Sequence, residues 1–381
     1  MVRVRDPDSG PALPSAAEET ARIAVERAVA ELRYGRMVLV DGGTGPVLMA
    51  PAEIASPESL SSFVARAGAV PALALTANRA AVLHINPTGD DVELVTLAAH
   101  LTPSAIRALA DASEDLSHPL MGPFRTRAMA LTDNHRAALK LLKLARLLPA
   151  GLVSAPLGAP QAAALVAGGV LAVGAAAIYA YETTAALGLV RVAAAKVPLA
   201  DAENARIIAF RPEDGGIEHL AILIGDPVPH EPVLIRLHSE CFTGDLLGSL
   251  KCDCGDQLRG SIRQIAAAGA GIVLYLAQEG RGIGLISKLK AYSLQDQGFD
   301  TVDANERLGF DADERIFLPA AVMLKRLGYR TVRLMTNNPD KVAGLEALGI
   351  TVTERVPHAF PSNGHNEFYL LTKKKRSGHY L

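Results

Sequence analysis

The chain contains no tryptophan, and its 8 tyrosines and 9 phenylalanines bring aromatic residues to only 4% of 381 positions. That scarcity bears on the one long uncharged stretch, Ala162 to Tyr181, which by length alone could cross a bilayer. It has no tryptophan to sit in an interfacial belt, and its alanines and glycines contribute little transfer free energy, so a buried helix and strand are expected there. Also missing is an excess of either charge. The 38 basic and 40 acidic side chains leave a formal charge of −2, with no global attraction to nucleic acid or an anionic membrane. Any anion site must be local, and neither nucleic acid nor membrane is an expected partner. Cysteine is the third scarcity: three residues cannot build a disulfide framework. The stretch Met1 to Pro11 has no apolar signal-peptide core, so a cytoplasmic protein with reduced thiols is expected.

The three cysteines, Cys241, Cys252 and Cys254, fall together inside one short window. Three thiolates can hold zinc tetrahedrally while leaving one position for water, which separates a catalytic site from a closed structural one. Such a water ionises near neutral pH and becomes a usable nucleophile, so the window points to hydrolysis. Inert buried thiols would have to cluster by accident of packing, and a disulfide would leave one thiol over. His238 could close the shell as a fourth ligand and make the zinc structural, and spacing leaves that rival open.

A chain of 381 residues exceeds the usual size of one core, so two domains are expected, with a composition change placing the boundary near residue 196. Residues 1–195 are Ala- and Leu-rich, whereas 196–381 carry the cysteines and most Gly-charged clusters; Ala195 to Asn204 has the proline and polar residues of a join. In the first half, helical periods run over Glu18–Tyr34, Ser104–Ala112 and Asn134–Leu147, with a short strand at Met37–Asp41. In the second, Leu220–Ile224 and Val233–Leu237 read as strands joined by the turn-forming Gly225-Asp226-Pro227, Gly271–Leu276 as a further strand, Gln257–Ala268 as a helix, and Gln278–Leu285 as a glycine-punctuated loop opening a Lys-bearing helix. Strands and helices mix without a strict βαβ repeat. The expected class is α+β, two domains, each a mixed sheet with packed helices.

Six motifs then carry a resemblance. They are Arg236-Leu-His-Ser-Glu-Cys241-Phe-Thr-Gly-Asp245, Cys252-Asp-Cys254-Gly255, Gln278-Glu-Gly-Arg-Gly-Ile-Gly-Leu285, Gln295-Asp-Gln-Gly-Phe-Asp-Thr-Val-Asp-Ala-Asn305, Ala312-Asp-Glu-Arg315 and Thr336-Asn-Asn-Pro-Asp-Lys341. In this order, across roughly residues 197–375, the chain resembles GTP cyclohydrolase II of riboflavin biosynthesis. The resemblance implies opening of the guanine imidazole ring of GTP, with release of formate and pyrophosphate, in a homodimer. It implies that Cys241, Cys252 and Cys254 bind one zinc, that Arg315 is the nucleophile toward the α-phosphorus with Asp313 accepting its proton, and that Tyr292 serves ring opening. It further implies that Arg236, Glu240, Gln257, Glu279, Arg281, Thr301, Thr336 and Lys341 contact GTP, with magnesium on the triphosphate. On spacing alone, Asp313, Glu314 and Arg315 read as a solvated charge cluster near a helix start. One departure stands out: where the family carries arginine just before Gln278, this chain has Ala277.

The first half resembles 3,4-dihydroxy-2-butanone 4-phosphate synthase through Ile106–Asp111 and Leu144–Val153. Where that family has an acidic metal-binding stretch, this chain reads Asp41-Gly-Gly-Thr-Gly-Pro-Val47, and where it has His-Thr-Glu, this chain has Asn134-His135-Arg136. Without those carboxylates there is little to bind magnesium or abstract a proton, so the half is expected to be catalytically degenerate. His135 is expected on a helix surface. Two further readings compete with the cyclohydrolase: a divergent homologue acting on another nucleotide, and a non-catalytic nucleotide-binding regulator.

Overall fold

A computed structural model describes residues 11–97, 102–119, 121–126, 129–213, 215–361 and 364. In chain order the first elements are α1 (Ala16–Arg33), β1 (Val38–Asp41), β2 (Val47–Pro51), α2 (Pro57–Ala67), β3 (Ala72–Thr76), α3 (Ala77–Val82), β4 (Val92–Thr96), α4 (Pro103–Ala110), α5 (Asp133–Leu144), β5 (Ala150–Val153), α6 (Ala159–Ala167), β6 (Leu171–Gly174) and α7 (Ala175–Leu187). There follow β7 (Leu189–Lys196), β8 (Ala205–Pro212), β9 (His219–Ile224), β10 (Val233–Ser239), α8 (Cys254–Ala267), β11 (Gly271–Leu276), α9 (Gly284–Asp296), α10 (Thr301–Arg307), α11 (Leu318–Arg326), β12 (Thr331–Met335), α12 (Pro339–Ala347) and β13 (Thr351–Val356). Local chemistry accounts for many boundaries. The Ser15 hydroxyl accepts from the Glu18 N–H while the Glu18 carboxylate accepts from the Ser15 N–H, a capping box that starts α1. Val25, Ala28, Val29 and Leu32 then recur at helical spacing on its buried face. The class is α+β, with two mixed sheets in two units.

One unit comprises Ser15–Glu182 and Ile283–Glu314. Its six-stranded sheet runs β4-β3-β5-β2-β1-β6, antiparallel except for the β1–β6 pair. The segment Ile283–Glu314 comes from the second half of the sequence, yet Ile283, Ala291, Leu294, Ala304, Leu308 and Phe310 lie in one core with Leu48, Leu73 and Ile106 of the first half. Burial of these apolar faces is what holds the segment there. The Thr76 hydroxyl donates to the Gly309 carbonyl (2.8 Å), and the Asn78 amide to the Phe310 carbonyl (2.9 Å).

The other unit takes the described residues up to Pro14, Thr183–Gly282 and the described chain from Arg315 onward. Its seven strands run β13-β12-β10-β11-β9-β8-β7. β10 lies parallel to both β11 and β12, and six of its seven residues are buried. Open sheets of this kind bind ligands beyond the carboxyl ends of their parallel strands. Here those ends lead into Glu240–Cys241 from β10, Ala277–Glu279 from β11 and Thr336 from β12.

Several expectations need correction. The expected join at 195–204 runs through the end of β7 and the connection to β8, two paired strands of one sheet, so it lies inside the second unit. β9 and β10 flank Gly225-Asp226-Pro227 but are not neighbours, because β11 lies between them. Ala162 to Tyr181 is split among α6, β6 and α7 and is buried only in part, and among the described residues no helix is long and apolar enough to cross a membrane. His135 is not on the helix surface but fully buried. Its Nδ1 accepts from the Thr132 N–H (3.0 Å) and its Nε2 donates to the Ser154 carbonyl (3.1 Å). Beside it, the Asn134 amide donates to the Gly45 carbonyl (2.8 Å), and its Oδ1 lies where a side chain at Gly42 would begin. The loop that would need carboxylates for a metal is therefore packed against an amide.

Buried neutral histidines give a pH expectation. Burial lowers the His135 pKa and drives that of His358, whose Nε2 donates to the Gln257 carbonyl (2.9 Å), down to about 4. Their folded values lie below the unfolded value of about 6.5, so the unfolded chain takes up protons first as pH falls. The stability they contribute is full above pH ~6.5 and lost on descent toward pH ~4. His358→Gln should flatten the loss of melting temperature over that window by on the order of 5 °C; an unchanged slope would contradict this.

Candidate active site

The three sulfurs converge beyond the end of β10. Cys241, Cys252 and Cys254 offer ligand atoms all within 4.8 Å of one another, the one such metal-competent group among the described residues. Cys241 and Cys252 are buried, and their sulfurs stand 3.7 Å apart, too far for a disulfide bond. Hydrogen bonding to Cys241 pushes the Cys252 thiol up to about 11 and contributes most to holding Cys254 well above its usual range. Three crowded thiols resist joint ionisation unless a cation sits among them, and a coordinated thiol is deprotonated outright. The residues therefore fit a thiophilic divalent ion such as zinc.

The backbone is shaped around the sulfurs. Gly244 donates its N–H to the Cys241 sulfur (3.3 Å), and a Cβ there would meet the Cys252 sulfur at 2.9 Å and the Cys241 sulfur at 3.1 Å. Gly244→Ala is expected to weaken metal binding on the order of ten- to a hundredfold, read as metal content after dialysis against a graded chelator. Unchanged retention would mean that the loop does not shape the cluster.

His238 is not in the three-sulfur group. Its Nε2 meets both oxygens of Asp245 at 3.0 and 3.1 Å, and its ring stacks on Tyr275 with centroids 5.6 Å apart. The register puts His238 directly opposite Tyr275 across β10 and β11. Asp245 also accepts from the Cys241 N–H (3.0 Å) and the Tyr275 hydroxyl (3.0 Å). It thus ties the first cysteine's backbone to two strands, and it is a residue the sequence expectations passed over.

Arg236 lies along β10 with 6% exposure. It donates to the Met335 carbonyl (2.9 Å) and to Gln257 Oε1, and Gln257 in turn donates to Asp253. Burial lowers the Arg236 pKa to about 10, opposed by Asp253 and Cys254 and reinforced by the like charge of Arg315, so it stays cationic at neutrality. Its Nε is buried with no hydrogen-bond partner, as is Gln278 Oε1. Asp253, at 3% exposure, is a second residue missed from sequence. Its signal was its place between Cys252 and Cys254.

The other residues expected to contact substrate lie as follows. The Lys341 ammonium, buried in the first turns of α12, donates to the Leu237 carbonyl (2.9 Å). The Thr336 hydroxyl accepts from the Asn338 N–H (3.0 Å) just ahead of that helix. The Glu240 N–H bonds the Leu276 carbonyl (2.8 Å). Both carboxylate oxygens of Glu279 accept backbone donors, from Phe242 (2.6 Å) and Gly280 (2.9 Å). Arg281 follows with φ of 62°, a left-handed conformation rare for a residue with a side chain, so strain is concentrated in this loop. Tyr292 on α9, Thr301 at the start of α10 and Asp313 belong to the other unit. There Lys288 stands over the Tyr292 ring at 5.6 Å, and Thr301 Oγ1 accepts from Gln295 (3.2 Å). The Asp313–Arg315 cluster is not simply solvated, since Glu314 is paired with Lys143.

Comparison with known proteins follows the same lines. Residues 190–357 match the sequence profile of GTP cyclohydrolase II. The chain is 52% identical over 365 residues to GTP cyclohydrolase-2 of Azospirillum brasilense, covering 95% of each. It is 54% identical over 177 residues to riboflavin biosynthesis protein RibBA of Bacillus subtilis, a stretch covering 46% of this chain and 44% of that protein. Against RibBX of A. baumannii, a two domain 3,4-dihydroxy-2-butanone 4-phosphate synthase, the TM-score is 0.34 at 17% identity over 88% of this chain and 99% of that one, a likeness too slight to argue from. The chain is an enzyme, a hydrolase. It belongs to the GTP cyclohydrolase II family.

Proposed function

We propose that this enzyme is a zinc-dependent GTP cyclohydrolase II acting in riboflavin biosynthesis. It opens the imidazole ring of GTP to give 2,5-diamino-6-(5-phosphoribosylamino)pyrimidin-4(3H)-one, formate and pyrophosphate. The observation that carries this reading is the cluster of three sulfurs within 4.8 Å at the carboxyl ends of parallel strands, in a chain 52% identical to a GTP cyclohydrolase-2. Cys241, Cys252 and Cys254 would hold one zinc per chain, which when bound supplies an activated water for attack at C8 of guanine and on the resulting formamide.

The chain's own side chains do the rest. Arg236 is cationic, and its buried Nε lacks a partner, which suits it to phosphate; Arg281 and Lys341 add charge, with magnesium on the triphosphate. Glu240 and Glu279 can accept from the donor edge of guanine, and Gln257, Thr301 and Thr336 complete the contacts. Arg315 attacks the α-phosphorus: its nitrogen–phosphorus bond forms as the bond to the pyrophosphate oxygen breaks, Asp313 takes the guanidinium proton, and water later cleaves the nitrogen–phosphorus bond. An arginine attacks only where a carboxylate can take that proton. Tyr292 serves ring opening. We take the working form to be a cytoplasmic homodimer.

Ala277 favours one alternative, a related nucleotide as the preferred substrate, because a positive charge expected beside Gln278 is missing. In the first half, an amide rather than a carboxylate packs against the loop at Gly42–Gly45, which supports a degenerate synthase-like domain in the first half of the chain, ahead of the cyclohydrolase portion. Mass spectrometry of products from a panel of nucleoside triphosphates and ribulose 5-phosphate, with zinc and magnesium present, tests both points. GTP should be opened fastest and ribulose 5-phosphate left intact. Faster opening of another nucleotide would transfer the assignment to that substrate, and dihydroxybutanone phosphate would overturn the degenerate reading.

A further inference from the structure

The turn that carries Asp313 is held by the first half of the sequence. Lys143, near the end of α5, donates from Nζ to Glu314 (2.6 Å) and Asp311 (3.1 Å). The same Glu314 oxygen accepts the Asp311 N–H (2.9 Å), closing residues 311–314 into a ring with the ammonium at its side. The Lys143 and Glu314 side chains are 18% and 16% exposed, so the pair is shielded from solvent in a way most surface ion pairs are not. Burial alone would lower the Lys143 pKa, but Glu314 and Asp311 outweigh it and keep the amine charged. Immediately upstream, Thr76 and Asn78 hold the Gly309 and Phe310 carbonyls. Glu314 is the residue between Asp313 and Arg315.

We infer that Lys143 is a positioning residue for the phosphate chemistry: it pins Glu314, whose neighbours in the chain on either side are the proton acceptor and the nucleophile. The inference rests on the roles proposed above for Asp313 and Arg315. It gives the first half of the chain a defined part in the reaction, acting through Glu314 rather than by touching substrate. Release of the pin should leave GTP binding intact and loosen the attack geometry, and displacements of about 1 Å can cost on the order of a hundredfold in rate.

The test uses the full chain loaded with zinc and magnesium, following pyrophosphate and formate from GTP separately. Lys143→Met should lower kcat for pyrophosphate release about ten- to a hundredfold, with KM within about twofold and zinc content unchanged. Lys143→Arg, which keeps the charge, should recover a large share. Combining Lys143→Met with Glu314→Gln should lose no more than the worse single variant, because the two act as one contact. If Lys143→Met does not fold, Glu314→Gln decides by the same kcat criterion. Wild-type kcat in these variants, or losses that multiply in the double variant, would overturn the inference. Arg315→Ala separates the two levels. If it too releases pyrophosphate normally, the proposed chemistry fails; if it is inactive while Lys143→Met is not, only the positioning role fails.

Discussion

Serine at Cys252 or Cys254 is expected to cost on the order of a thousandfold in ring opening and to lower bound zinc well below one ion per chain. A hydroxyl is a poor replacement for a thiolate on zinc, and two remaining sulfurs cannot hold the ion where three are arranged within 4.8 Å. A bound metal contributes several kcal/mol to stabilising developing charge, and each 1.4 kcal/mol is a factor of about ten in rate. Melting temperature should move far less than activity, since the sulfurs lie beyond the strand ends and the sheet's apolar core does not include them. Metal analysis alongside formate release checks this. Full activity in a metal-free preparation would sink the zinc assignment.

The second large effect separates the two bond-breaking events. Arg315→Ala removes the proposed nucleophile and should reduce pyrophosphate release to near background, a loss of at least about a thousandfold. Tyr292→Phe removes one hydroxyl from the ring-opening side and should slow formate release, with the guanosine monophosphate left after pyrophosphate loss accumulating, its ring intact. Pyrophosphate would still appear in the tyrosine variant. Parallel assays of the two products check this, and equal, proportional losses of both products in both variants would mean that the steps are not divided as proposed.

Much of this arrangement was legible where signals are local. The strand Gly271–Leu276 is a continuous apolar run between a glycine and a polar loop, and it forms with those bounds. The cysteines announced themselves by crowding. What failed was long-range. Nothing in Gly225-Asp226-Pro227 says that β11 will insert between β9 and β10, because strand order depends on contacts far along the chain. Likewise α9 and α10 sit among second-half motifs, yet their apolar faces are completed by the first half's core. His135 was misplaced because one polar residue in a helix gives no hint that Ser154 and Thr132 will satisfy both ring nitrogens. Asp245 was within the quoted motif but drew no notice. Its signal was its spacing of four from Cys241, which lets its carboxylate reach back to the Cys241 N–H.

The most direct measurement is a count of both products from one reaction. GTP incubated with the zinc- and magnesium-loaded full chain should yield formate and pyrophosphate in equal amounts with the diaminopyrimidinone ribosyl phosphate, and chelation of zinc should stop formate. An intact guanine ring after prolonged incubation, or formate release that is indifferent to zinc, would contradict the account.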